Sequence, residues 1–461
     1  MSPMTAKAPC TIDIVVVGGG IAGLACAVGL GLAGHRVTVL EEDDSVENGM
    51  SGCRSPPNMS RILQDRWHLG DELAKISITS ESALITKYET GEVLGRHPWN
   101  DALMQQTGST FKCLHHADLR KMLSDAAKSH GATIRTKSKV VSITNGSFED
   151  DVKPSVTLAS GETLTADLVV GADGPDSSVK ELVVGKDDNR VPMGLVLWNT
   201  LIPWSDVEAE PDLAYLLQEK DTIYMSYGDS HSVISYYING PSGEYFHMHI
   251  WTPDDGTMKD PGPGSWRETF PTSMLVNALG TCDPRLKTLV KLGKPPTLLR
   301  VSEQLEVKDW ISEDSPVVLI GEAAHALPAG STQQHSMAIG DASCLSEFFS
   351  HLRSREQIGA LLEAFEEVRQ PRINGILQTE SGIMRFISQG GEEQVARDDA
   401  MRKNREAGRG AFDDTDIFDA LMGAFAYDAV DGAAEWWVKW GVLNERKNGV
   451  PEELEVVVIE S

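Results

Sequence analysis

Residues 12–17, apolar apart from Asp13, form a run that ends on glycines, the pattern of a strand buried on both faces. Residues 22–33, rich in Ala and Leu, read as a buried helix, and the β-branched alternation at 36–41 as a second strand, so the chain opens as a βαβ-type unit. Leu119, Met122, Leu123, Ala126 and Ala127 recur at helical spacing, with Gly131 behind them as a stop. Strand-like segments are predicted at 132–143, 154–159 and 163–170. Between 191 and 251 the pattern changes: four β-branched and aromatic runs (191–203, 222–227, 233–238 and 245–251) alternate with Gly, Asp, Asn and Pro turns, which predicts an antiparallel sheet. The run at 316–320 predicts a return to a buried parallel-type strand, and 340–445 reads as mostly helical. The fold class expected is α/β. It comprises a Rossmann-like nucleotide-binding domain (1–190), an inserted antiparallel β-sheet substrate domain (191–298), a return segment of the first domain (299–350) and a helical C-terminal region (351–461). There is no internal repeat, and the one low-complexity patch is the turn-rich stretch 260–265.

Composition narrows the classes. The 461 residues are 41% hydrophobic and 24% charged, enough for a large core, and the formal net charge of -27 repels phosphate backbones, which argues against nucleic acid. Six scattered cysteines without a C-x-x-C pair suit neither a disulfide framework nor a zinc site. No signal peptide and no run of apolar residues long enough to span a bilayer is visible, so a cytoplasmic protein is expected. The Trp-rich segment 434–440 is too short and acidic for a membrane and reads as packing or subunit contact, which fits a homodimer.

The chemistry begins at Gly18-Gly-Gly20-Ile-Ala-Gly23, between predicted strand and helix. Gly18 permits a tight turn, Gly20 lets the backbone approach a pyrophosphate, and Gly23 lets helix and strand pack closely. The helix start offers free N–H groups to phosphates. Glu41 closes the second strand, where a carboxylate can accept both ribose hydroxyls. This motif indicates dinucleotide binding but does not choose between NAD and FAD.

Two later motifs make the choice: Gly171-Ala-Asp173-Gly174 and Gly321-Glu322-Ala-Ala-His325-Ala-Leu-Pro328. With the glycine loop they resemble, in order, the three signatures of the class A (single-component) flavoprotein monooxygenases, the salicylate hydroxylase and 4-hydroxybenzoate hydroxylase type. Pro57-Asn58 with Arg61, His115-His-Ala-Asp118-Leu and Arg369-Gln-Pro-Arg372 extend the likeness. The resemblance implies a non-covalent FAD held by Gly18, Gly20, Gly23, Glu41, Asn58, Arg61, Val140, Asp173, Gly174, Gly321, Glu322, Pro328, Gly330, Ser331 and Thr332. It implies NADPH or NADH as a transient reductant, since no second G-x-G-x-x-G is present, and O₂ as co-substrate. Reduced flavin would give a C4a-hydroperoxide whose terminal OH passes to a small aromatic substrate. No metal is implied.

The sequence also departs from the family pattern. Glu322 replaces the usual Asp, His116 stands where a flavin-binding Arg is common, and the loop from Ala329 to His335 is longer. Asn199 follows Trp198 where many relatives carry an Arg, so no carboxylate clamp is visible there. The predicted middle sheet carries Trp198, Tyr224, Tyr227, His231, Tyr236, Tyr237, His247 and His249, and alternation must turn half of them away from any pocket. His231 and Tyr236 are the catalytic candidates, because the resemblance places their strand at the active site. Hydroxylation of a phenol, with decarboxylation if it is a hydroxybenzoate, is the expected reaction. The alternatives are epoxidation or rearrangement of a larger natural product such as an indole, a non-catalytic FAD-fold protein, and a simple NAD-dependent dehydrogenase.

Overall fold

A computed structural model of the chain describes residues 7–441 apart from 48, 100–103, 105–106, 186–189, 257–267, 306–308 and 414–415. The turn-rich stretch 260–265 lies outside the described residues.

The opening unit forms as its pattern dictates. Asp13–Val17 pairs in parallel with Arg36–Leu40 on one side and Leu168–Gly171 on the other; Val317–Leu319 and Thr133–Arg135 close the edges of a five-stranded parallel sheet. Val-rich strands suit this sheet because both its faces are covered. Helix Ile21–Leu32 packs against the helix Gln334–Ser350, so segments 300 residues apart share one core.

Two expected strands are each divided between sheets. The run 132–143 breaks at Lys137, which has a positive φ of 52°, and Val140–Thr144 joins Ser155–Leu158 and Thr163–Thr165 in a small antiparallel sheet. The run 163–170 breaks at the buried Asp167, whose carboxylate accepts the amide of Asp13 and pairs with Lys153 and Arg355. A carboxylate so tied cannot occupy an apolar strand interior.

The middle sheet has seven strands in the order Thr297–Gln304, Arg190–Pro203, Gly243–Pro253, Ser232–Gly240, Thr222–Tyr227, Ser82–Lys87, Val93–Pro98. It recruits its last two strands from well before residue 191, and Ser82–Lys87 runs parallel to Thr222–Tyr227, the single parallel pair in it. Period-two alternation sorts its side chains. Leu197, Leu201, Ile234, Tyr236 and Trp251 face the nucleotide-binding domain; Val196, Trp198, Tyr237, Phe246 and Met248 face away, under helices Thr272–Ala278 and Pro284–Leu292.

The C-terminal region is helical: Ile358–Ile387, Gly391–Glu406, Asp416–Ala426 and Ala429–Trp436. Trp436 donates to Glu367, and Trp437 stacks on His351 at 4.1 Å, so both pack on the molecule itself. Among the described residues no helix is long and apolar enough to cross a membrane.

Candidate active site

The glycine loop lies where three chain segments converge. Gly18 has φ 103°, and a Cβ there would collide with the carbonyl of Ala172, so the loop touches the backbone of the Asp173 motif at the end of the neighbouring strand. A Cβ on Gly23 would run into the Gly18 carbonyl, whereas the space beside Gly20 is open to 4 Å. Gly20 precedes the helix Ile21–Leu32 without capping it through a side chain, leaving first-turn N–H groups for an anion. Glu41 stands beside this opening. Its carboxylate accepts the amides of Gly19 and Asp43, both at 2.9 Å, and Arg120 donates to Gly19 O at 2.9 Å and lies 3.6 Å from Glu41. Lys137 and Ser138 pair with the backbone of Asp43 and Glu41, bringing Val140 to the same end of the strand. Asp173 turns its carboxylate to Ser177 and to the amide of Ser178, with Gly174 beside it at φ 86°. Gly18, Gly20, Gly23, Glu41, Val140, Asp173 and Gly174 are therefore gathered in one region.

The late motif is anchored from below. Asp341, inside helix Gln334–Ser350, accepts the Gly321 amide at 2.9 Å, meets His325 Nε2 at 2.6 Å and accepts Arg369 Nε at 2.9 Å. Burial works to raise the Asp341 pKa, but His325, Arg369 and the amide together hold it below the ordinary carboxylate value. Glu322 accepts from Gln334 Nε2 at 3.0 Å, and burial raises its pKa.

The turn after Pro328 is gripped from three sides. Ser331 bonds back to Pro328 O through both its amide and its hydroxyl. Trp251 Nε1 donates to Ala329 O at 3.2 Å, and Arg54 Nη2 to Gly330 O at 2.5 Å. The buried carboxylate of Glu380 accepts the amides of Thr332 and Gln333 at 3.3 and 2.9 Å. Gly330 holds φ 83°, and a side chain there would strike Trp251. Asn58 donates to Gln333 Oε1 at 3.0 Å. Asn58 Oδ1, Gln333 Nε2 and Ser336 Oγ are buried with no partner among the described residues, as expected where a bound group with its own donors and acceptors completes the site. Arg61 is not part of this set: its guanidinium reaches Thr107 O, Ala426 O and Asp428.

The sheet presents its inner face to this turn. Tyr236 is there, 1% exposed, with its hydroxyl buried and without a partner among the described residues. His231 is not. Alternation puts it with the outward residues, where its ring stacks on Tyr88 at 5.3 Å and its nitrogens face the carbonyls of Asp229 and Ala278. The inner face instead offers His247 and His249, ring centroids 4.3 Å apart, each with a buried Nδ1 that has no partner among the described residues. Burial, with Arg54 acting in the same direction, pushes both histidine pKa values well below the usual range, whereas burial raises that of Tyr236 well above it against the pull of Arg54. His116 and His335 form a second pair 5.4 Å apart, and burial pushes His335 down to about 4. Arg54 and Glu380 are the residues that motif reading missed. Nothing in their local sequence marks them; only the folded chain sets strand Gly52–Ser55 and helix Ile358–Ile387 on either side of one turn.

Residues 11–380 match the family described as FAD binding domain, and the chain belongs to it. It is 24% identical to the FAD-dependent monooxygenase OpS4 of Beauveria bassiana (strain ARSEF 2860), over 86% of this chain and 90% of that one. It is 27% identical to 3-hydroxybenzoate 6-hydroxylase 1 of Aquipseudomonas alcaligenes, over 76% and 83%. Its fold superposes on a salicylate hydroxylase substrate complex with a TM-score of 0.71 at 19% identity, covering 92% and 97% of the two chains. The protein is a flavin-dependent monooxygenase, and its cofactor is FAD.

Proposed function

We propose that the enzyme uses NADPH or NADH and O₂ to hydroxylate a small aromatic substrate held between the inner face of the seven-stranded sheet and the turn 328–333. One observation carries this reading: Tyr236 OH, His247 Nδ1 and His249 Nδ1 are buried without partners among the described residues, near the charge of Arg54. Buried polar atoms are rarely left unpaired, so these three suit a polar aromatic guest. FAD, once bound and reduced, activates oxygen; the chain supplies orientation and a dry site. Gly18, Gly20, Gly23, Glu41, Val140, Asp173, Gly174, Gly321 and Glu322 would hold its nucleotide and ribityl portions, and Asn58, Pro328, Gly330, Ser331 and Thr332 its ring end. Trp251 and the turn exclude water, Tyr236 donates to a substrate oxygen, and Arg54 stabilises negative charge on that substrate.

The test is anaerobic flavin reduction by NADPH and NADH, with and without a panel of hydroxybenzoates, larger phenols and indoles. A compound that strongly accelerates bleaching supports the reading, and product analysis then reports hydroxylation, decarboxylation or epoxidation. Fast reduction without any addition would make the protein a reductase or oxidase and remove the inner face from substrate control.

A further inference from the structure

The side chain of Asn199 has only one workable orientation. Its Nδ2 lies 2.9 Å from Met50 O and 3.3 Å from Thr297 Oγ1, and since a carbonyl oxygen only accepts, the amino end must face Met50. The Oδ1 end then receives Ser51 Oγ at 3.1 Å and stands 2.7 Å from His247 Nε2. Because Oδ1 cannot donate, Nε2 of His247 carries the ring hydrogen. In the neutral ring Nδ1 then holds a lone pair. Burial first, then the nearby His249, Arg54 and His115, lower the His247 pKa well below its usual value, which keeps the ring neutral at physiological pH. Tyr236, opposite it in register, also faces it from the adjacent strand.

That lone pair is buried and finds no partner among the described residues. Residue 52 is glycine, and a Cβ there would stand 2.7 Å from His247 Cγ and 3.0 Å from Nδ1. The absence of a side chain at residue 52 spares the imidazole that clash.

We propose that His247 Nδ1 accepts a hydroxyl of the substrate, so that the enzyme selects phenols or enols by their O–H, and that Asn199 is the positioning residue that fixes the tautomer. The inference rests on the monooxygenase reading of the same site. A carboxylate or ether oxygen at that point would set lone pair against lone pair, whereas a hydroxyl pairs and gains electron density at its oxygen as it does so. Arg54 stabilises that density, and the proton stays shared between oxygen and Nδ1.

Two measurements on the FAD-loaded enzyme test this. Long-range ¹H–¹⁵N spectra, with His247 assigned by the His247→Gln difference, report the tautomer without any ligand; Nε2–H is expected, and Nδ1–H overturns the proposal. Flavin absorbance titrations then compare 2-naphthol with 2-methoxynaphthalene, and 3-hydroxybenzoate with 3-methoxybenzoate and benzoate. Leaving a buried acceptor unpaired costs about 1–3 kcal/mol, so the ethers should bind about 5- to 150-fold more weakly. Asn199→Asp, which still accepts from Nε2–H but whose charge favours the imidazolium, should keep the discrimination at alkaline pH, where the ring is neutral. Asn199→Leu should lose it while retaining FAD, and a Leu variant that fails to fold leaves the Asp variant and the spectra to decide. Equal binding of ethers and phenols, or no binding of any hydroxyl compound to an enzyme that still consumes oxygen with NADPH, overturns the proposal alone. A protein that neither holds flavin nor consumes oxygen overturns the monooxygenase reading with it.

Discussion

Arg369 and Asp341 meet at 2.9 Å with neither side chain exposed, joining the 30-residue helix Ile358–Ile387 to the helix behind the late motif. Asp341 also holds the Gly321 amide, so this ion pair reaches the cofactor loop through one carboxylate. Arg369→Met should strand a buried charge and lower stability by about 3–5 kcal/mol. The loss should appear in denaturant unfolding of the apoprotein and be accompanied by weaker FAD retention. The folded-state pKa of Asp341 is depressed, so its contribution is present above the ordinary carboxylate pKa and lost as pH falls through the lower folded value. The difference between wild type and the variant should therefore shrink in acid.

Glu380 faces the amides of Thr332 and Gln333, and burial raises its pKa against the pull of Arg54. An ionised carboxylate at this turn opposes negative charge on a reduced flavin. In Glu380→Gln the midpoint potential of the bound flavin should rise, by about 30 mV if the lost repulsion is worth about 1.4 kcal/mol for two electrons. The gap should close as pH falls and the wild-type carboxyl takes up its own proton. Spectroelectrochemical titration at several pH values reads both effects, and identical potentials throughout would remove Glu380 from flavin tuning.

His335 is held neutral, its pKa lowered to about 4 by burial and by Arg54. An unfolded histidine binds its proton near pH 6.5, so between that pH and about 4 the unfolded state holds more protons and the fold weakens as pH drops. His335→Gln should flatten the decline of melting temperature over that window. His116, His247 and His249 are depressed in the same direction, so a residual slope should remain.

His231→Phe should leave substrate-stimulated flavin reduction within about twofold of wild type, because its ring packs on Tyr88 on the outward side of the sheet. Tyr236→Phe should weaken substrate binding instead. A large defect in the first and none in the second, measured by stopped-flow reduction, would reverse the assignment of faces.

The contrast between those two residues marks how far the chain could be read unaided. The glycine loop, Glu41 and the motifs at Asp173 and Gly321 are local patterns, and each lies where its strand and helix context implied. Period two separates Tyr236 from its neighbour Tyr237 and sets His231 and Tyr236 on opposite faces, so the two could not line one pocket together, but it cannot say which face looks inward. Arg61 was placed with the cofactor by resemblance, yet the described structure sets it against Thr107 and the C-terminal helices. Arg54, Glu380 and Asn199 act through contacts spanning 47 to 276 residues, a distance over which spacing rules carry no information.

The edge strand Val317–Leu319 lies beside Leu168–Gly171, and Ser82–Lys87 beside Thr222–Tyr227. During synthesis the ribosome must therefore release well over a hundred residues between each pair before the second partner exists. Glu380 and Arg369 emerge later still. The nascent protein passes most of its translation with open, aggregation-prone sheet edges and an incomplete cradle until its final helices arrive.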